Sequence, residues 1–353
     1  MKDSAALTPD SLPERIENTL QLEEMLSRPD DALVECFRRL KGDILVLGAG
    51  GKMGPTLARM ARRASDAAGS ARRVMAASRF SQPEARRSLE EYGVEAIPCD
   101  LLDRRQVQEL PDAENVVFMA GMKFGTTGNE ALTWAMNTLL PALVCERFPD
   151  ARFCVFSTGN VYGLTPVAGG GSREDDPPRP EGEYAMSALG RERIFEYFSR
   201  TAGCRASIIR LNYAVEMRYG VLHDIACKIR DGAEVDVSMG YVNVIWQADA
   251  SSMALRSLEL ASSPPLVLNV TGPEILSVRE TAEQLAGLMD RPVRFRGQES
   301  PDALLSNAGR AFQRLGRPQV CADTVIRWTA DWVGRGGASL GKPTHFEERD
   351  GRF

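Results

Sequence analysis

From Asp43 onward the chain alternates short apolar runs with longer segments of helical periodicity, and this alternation narrows its possible folds more than any other feature. DILVLG, RRVMAAS, VEAIPCD and ENVVFMAG read as strands, whereas MGPTLARMARRA and QPEARRSLEEYG read as the helices between the first three. Two more strands follow at ARFCVFST and RASIIRLN, separated by a loop rich in Gly, Pro and acid, AGGGSREDDPPRPEGE. Such an alternation is the mark of parallel strands joined by crossover helices. The expected class is therefore α/β, a Rossmann-type doubly wound parallel sheet, with residues left over for a smaller C-terminal lobe.

At 353 residues the chain exceeds the size at which one core usually keeps growing, so a lobe or second domain is expected. The division read from the sequence is an N-terminal helical extension (1–42), a Rossmann domain (43–212) to which 242–265 returns, a substrate lobe (213–241 and 266–332) and a tail (333–353). SLPE at 11–14 has capping-box spacing, and Ile16, Leu20, Leu33, Phe37 and Leu40 recur at helical intervals. The tail has little apolar content and is expected to run over the surface or a partner. A net charge of −5 gives no cationic excess for a nucleic-acid backbone, so no nucleic-acid partner is expected. No apolar stretch approaches the ~20 residues of a membrane span, and MKDSAALTPD lacks the build of a signal peptide, which reads as a cytoplasmic protein without a membrane partner. The seven cysteines are scattered without a CxxC pair and are read as buried small hydrophobes; with two histidines in the chain, no metal site is expected.

The first strand runs into VLGAGGKMG, where Gly48, Gly51 and Gly54 stand three apart around Lys52 and Met53. Glycines between a strand and a helix permit a tight turn, let backbone approach a pyrophosphate, and place it at a helix N-terminus. The spacing is GxxGxxG, since position 53 is methionine. At the end of the second strand, where an NAD enzyme offers an acid to the ribose, stand Ser78 and Arg79. Arg79 could pair with a 2′-phosphate, a lean toward NADP over NAD; a solvated arginine is the plainer alternative.

Further motifs make the chain resemble the extended short-chain dehydrogenase/reductase family, the NAD(P)-dependent sugar epimerases, dehydratases and reductases, over roughly 43–332. CDLLD looks like the Asp-Leu pair after the third strand and would put Asp100 and Leu101 against the adenine. FMAGMKFG is similar to a fourth-strand motif that lines the cofactor, matched by Ala120, Gly121 and Lys123; Asn137 matches an asparagine on the next helix. STGNVYG and EDDPPRPEGEYAMSA resemble the approach to a Tyr-x-x-x-Lys pair. The resemblance implies a nicotinamide cofactor, a small-molecule substrate, Tyr184 as proton-transfer group with Thr158 beside it, cofactor contact by Tyr184 as well, and a homodimer through two helices of the large domain.

Two departures qualify the chemistry. The lysine expected four residues after Tyr184 is Ala188. A tyrosine near its reference pKa of about 10 is only about 0.1% phenolate at pH 7, a handicap of roughly 4 kcal/mol for a step needing the base. Ketone reduction, which needs only a neutral proton donor, suffers less. Lys123 and Arg191, the latter at i+7 from Tyr184, are the possible stand-ins. Second, DVSMGYVNVIWQADAS lacks the arginine that family members offer to a nucleotide-sugar diphosphate, and RLNYAVE matches its strand motif only through Asn212 and Tyr213. These two residues and Asn160 are the candidate substrate contacts. Gly159-Asn160 stands where dehydratases place Asp-Glu. The leading expectation is an NAD(P)-dependent oxidoreductase or epimerase of a sugar-like hydroxyl or ketone, not a nucleoside-diphosphate sugar. The alternatives are a dinucleotide-binding sensor or scaffold with impaired turnover, and a nucleotide-sugar 4-epimerase.

Overall fold

The computed structural model describes residues 12–81, 83–123 and 125–351. Its centre is a seven-stranded, wholly parallel sheet whose strands are, in chain order, β1 (Ile44–Leu47), β2 (Val74–Ser78), β3 (Glu95–Pro98), β4 (Asn115–Phe118), β5 (Arg152–Thr158), β6 (Arg205–Leu211) and β7 (Leu266–Val270). The spatial order is β7-β6-β5-β4-β1-β2-β3. Strands β1 and β4 are buried along their whole length, as expected of a sheet covered by helices on both faces. The order reverses between β1 and β4, so a crevice opens beyond their carboxyl ends, where the glycine-rich turn lies.

The sheet takes in more of the chain than expected. Leu266–Val270, assigned to the lobe from sequence, pairs with β6 in register and extends the returning segment to Val270. An apolar run of this length reads equally as a lobe strand, and only its neighbour decides. The N-terminal helices also start later: residues 12–18 are not helical, and Asn18 caps Thr19–Leu26 by accepting from Gln21 N–H at 3.0 Å. Ser11 of the expected capping box lies outside the described residues. Asp30 caps Asp31–Arg39 in the same way, at 2.6 Å to Leu33 N–H. Both helices bury Leu22, Leu26, Leu33 and Phe37 in the core shared with the Gly54–Ala67 helix, and the Arg63–Glu24 pair at 2.6 Å clamps them there.

The tail differs most from expectation. Phe346 is 1% exposed within the main core, Thr344 is buried, and Arg349 pairs with Asp302. The segment is a strap fixed by a few separated side chains, Thr344, Phe346 and Arg349 among them, too sparse to leave a period.

Candidate functional site

The turn after β1 is built to bring backbone close. Gly48 has φ +88°, and a Cβ there would lie 2.6 Å from the Ala120 backbone at the end of β4. A Cβ on Gly50 would meet Ser78 Oγ at 2.5 Å, and one on Gly54 would meet Ala49 O at 2.3 Å. The first two keep the turn thin between two strands; the third lets the Gly54–Ala67 helix start against it.

Two cavities of ≈390 Å³ each meet at this turn. The first holds Gly51, Lys52, Met53, Gly121, Lys123, Thr158, Asn160, Tyr184, Asn212 and Tyr213 of the sequence candidates, together with Arg191. The second holds Ser78, Arg79, Asp100, Leu101 and Ala120, with Gly48, Gly51 and Gly121 lining both. Two candidates line neither. Gly54 is taken up in helix packing. Asn137 is fully buried: its side chain accepts from Met122 N–H and donates to Met122 O, both at 3.1 Å, and donates to Ser187 Oγ at 2.8 Å. It therefore holds the loop after β4 rather than a ligand. Several lining residues gave no sequence signal, among them Gly50, Tyr219, Lys342 and Thr344; the last two come from the strap.

Tyr184 lies in the first turn of the Gly182–Ala202 helix, and its side chain is hydrogen-bonded to Thr158 at the end of β5. Thr158 Oγ1 also donates to Asn160 Oδ1 at 3.1 Å and accepts from Asn160 N–H at 3.2 Å. Burial raises the Tyr184 phenol above its ordinary value, opposed by the Thr158 bond and the positive charge of Arg191. The phenol is thus neutral at pH 7. Tyr213 holds φ +44°, a left-handed conformation rare for a bulky side chain, and faces the same cavity.

Of the two possible stand-ins, Arg191 is set into the frame of the site. The residue is 6% exposed, and its guanidinium donates to Phe156 O at 2.5 Å and Asn137 Oδ1 at 2.6 Å; burial pushes it down to about 10. Lys123 Nζ lies 5.7 Å from the Tyr184 ring centre. Ala188 packs at 1% exposure against Val161 and Tyr162. A buried Arg210–Glu192 pair at 2.7 Å, with Glu192 accepting from Ser157 Oγ at 2.5 Å, ties β6 and β5 to the same helix and fixes the geometry above it. At Gly159, where the dehydratase acid would stand, a Cβ would lie 2.8 Å from Ser306 Oγ and 3.2 Å from Asn212 Cβ, a tightly packed position.

Cations dominate the first cavity. Lys52 Nζ sits 3.1 Å from the Tyr219 ring centre; burial, then the charges of Lys123 and Lys342, push its ammonium down to about 7. Burial pushes Lys123 down to about 8. Two other side chains are structural: Trp246 is buried edge-on against Trp328 at 5.5 Å, and His223 bonds Ser339 Oγ at 3.0 Å. Among the described residues no group of His, Cys, Asp or Glu is arranged to hold a metal, and no helix is long and apolar enough to cross a membrane.

The sequence model of the NAD dependent epimerase/dehydratase family matches residues 44–236, more than half of the chain. The chain belongs to that family. It is accordingly an enzyme of the NAD-binding Rossmann type. No curated protein matches it by sequence. Similar solved structures include a UDP-glucuronic acid 4-epimerase from Bacillus cereus in complex with NAD (18% identity, TM-score 0.68, covering 83% of this chain and 97% of that one). A dTDP-glucose 4,6-dehydratase from Streptomyces venezuelae with NAD bound is similar at 18% identity and TM-score 0.70, with 83% and 97% covered. A UDP-glucose 4-epimerase from Thermotoga maritima with UDP-glucose follows at 17% and 0.66, with 83% and 99% covered. At these identities the likeness establishes the fold.

The glycine turn fits a dinucleotide: three positions where a Cβ would collide with neighbouring atoms line or shape a groove that joins the two cavities.

Proposed function

We propose that this family member is an NAD(P)-dependent oxidoreductase or epimerase acting on a sugar-like hydroxyl or ketone, on a molecule smaller than a nucleoside-diphosphate sugar. The observation that carries the reading is the Thr158–Tyr184 pair in the cavity that the glycine turn opens into. A nicotinamide dinucleotide, when bound, supplies the hydride donor or acceptor. Gly48, Gly51, Lys52, Met53, Gly121 and Lys123 would hold its pyrophosphate and nicotinamide end; Ser78, Arg79, Asp100, Leu101 and Ala120 would hold its adenosine. Tyr184 Oη donates its proton to the substrate oxygen as a carbonyl is reduced, and Thr158 Oγ1 bonds the same oxygen. The raised phenol keeps that proton in place at pH 7, which favours reduction over oxidation. Arg191, beside Tyr184, stabilises a phenolate once formed and takes the electrostatic part of the missing lysine. This supports turnover over the sensor alternative that Ala188 raised.

The strap closes one side of the site, where Glu348, Arg349 and Gly351 lie against Asn160, Gly163, Glu181 and Leu304. The substrate reading rests on the arginine missing from DVSMGYVNVIWQADAS, without which a nucleotide-sugar diphosphate lacks its bidentate partner there. Asn160, Asn212 and Tyr213 remain to orient a small polyol. The second reading, a nucleotide-sugar 4-epimerase, draws on the activities named for similar structures. Arg79, exposed at the mouth of the second cavity, favours NADP over NAD. Exposed Leu132, Leu139, Met186 and Tyr197, on the helical segments 130–147 and 182–202, support the homodimer. Five buried free cysteines suit a reducing cytoplasm.

The test is to denature the purified protein, quantify any released dinucleotide, and titrate the emptied enzyme with NADPH, NADH and nucleotide sugars. Expected are preferential NADPH uptake and no affinity for UDP- or GDP-sugars; micromolar binding of either sugar would overturn the substrate reading, and stoichiometric NAD in the released fraction the NADP lean.

A pH dependence follows from the lysines. A bound diphosphate holds Lys52 protonated, so affinity is constant below about pH 7, where the ammonium is already charged in the free protein. Above that it falls as the free form loses its proton. NADPH dissociation constants measured between pH 6 and 9 should rise above pH 7, and Lys52→Met should remove the lower step. A flat profile in the unsubstituted enzyme would disprove the coupling.

A further inference from the structure

We propose that the C-terminal strap belongs to the ligand site and that its Lys342 engages the diphosphate of the dinucleotide lying along the glycine turn. This rests on the dinucleotide reading above. The strap is anchored on both sides of the cavities. On one side Leu340 N–H donates to Arg218 O at 3.1 Å, and Ala338 O accepts from Trp332 Nε1 at 2.9 Å. On the other, Thr344 N–H and Oγ1 donate to Asp224 Oδ2 at 2.7 and 2.6 Å, Phe346 enters the core, and Glu347 pairs with Lys228. Arg349 donates to Asp302 O at 3.0 Å, and Gly351 lies so close to Gly182 that a Cβ on the latter would meet Gly351 O at 2.2 Å.

Between these anchors, Gly341 at φ +62° and the fixed φ of Pro343 form a short bridge that presents Lys342. Six described residues line both cavities, Gly48, Gly50, Gly51, Met119, Gly121 and Lys342, and Lys342 alone of them is charged. They mark where the middle of a ligand spanning both cavities must pass. Every charged side chain lining the first cavity, Lys52, Lys123, Arg191 and Lys342, is a cation. Like charges gathered in a partly dry cleft repel, and an anion between them relieves the repulsion. The ligand's diphosphate is the anion that the glycine turn places at this junction.

The experiment is calorimetric titration of the full chain and its Lys342→Gln and Lys342→Arg variants with NADPH, NADH, ADP-ribose and adenosine, which lacks phosphate. Lys342→Gln should bind the three diphosphates roughly tenfold more weakly, with a shallower salt dependence, while adenosine is unaffected and Lys342→Arg restores affinity. An unchanged melting temperature would show that the strap stays in place. Unchanged diphosphate affinity in Lys342→Gln overturns the proposal, as does an equal loss of affinity for adenosine, which would assign the effect to the packing of the strap and not to the diphosphate. If the unsubstituted enzyme binds none of the diphosphates, the dinucleotide reading itself fails and the proposal falls with it.

Discussion

Tyr184→Phe is expected to lower kcat by about 10²- to 10⁴-fold while leaving dinucleotide affinity and melting temperature near those of the unsubstituted enzyme. The phenol oxygen is the group bonded to Thr158 within the first cavity, and removing it deletes the proton donor without disturbing the helix that carries the ring. One neutral hydrogen bond is lost, a stability cost of about 1 kcal/mol. Thr158→Val should act in the same direction but less, because it orients the substrate oxygen without supplying its proton. Full activity in Tyr184→Phe, once a substrate is in hand, would dismiss the assigned chemistry.

Arg191→Met is expected to separate function from stability. A guanidinium pushed down to about 10 by burial reflects a cost of the order of 3 kcal/mol against its charged form, so this residue is not kept for folding energy. Its acceptor on Asn137 keeps a second donor in Met122 N–H, which limits the loss when the arginine goes. Melting temperature should therefore move little. Turnover should fall about ten- to a hundredfold, because Tyr184 loses the nearby charge that offsets its burial, and the basic limb of the pH–rate profile should shift upward. A stability collapse with an unchanged pH profile would make Arg191 a packing residue only.

Much of this was legible in local pattern. The parallel sheet follows from alternating periods, and the Gly48 turn from glycines between a strand and a helix. Thr158 and Tyr184 were singled out through the resemblance of STGNVYG and EYAMSA to family motifs, and the fold brings the two side chains together. The same reasoning misplaced Asn137, since nothing in its neighbours tells whether an amide faces a ligand or the loop that it holds. It could not choose between Lys123 and Arg191, which approach Tyr184 from different elements.

The sequence by itself determined the fold class and the glycine turn, because each depends on residues within a few positions of one another. Tertiary structure alone decided that Leu266–Val270 completes the sheet, that Arg191 stands beside Tyr184, and that the tail closes over the cleft with Lys342. These are contacts between segments far apart along the chain, made by single side chains that leave no period. Their partners are chosen by packing and charge only once the core has brought the surfaces together.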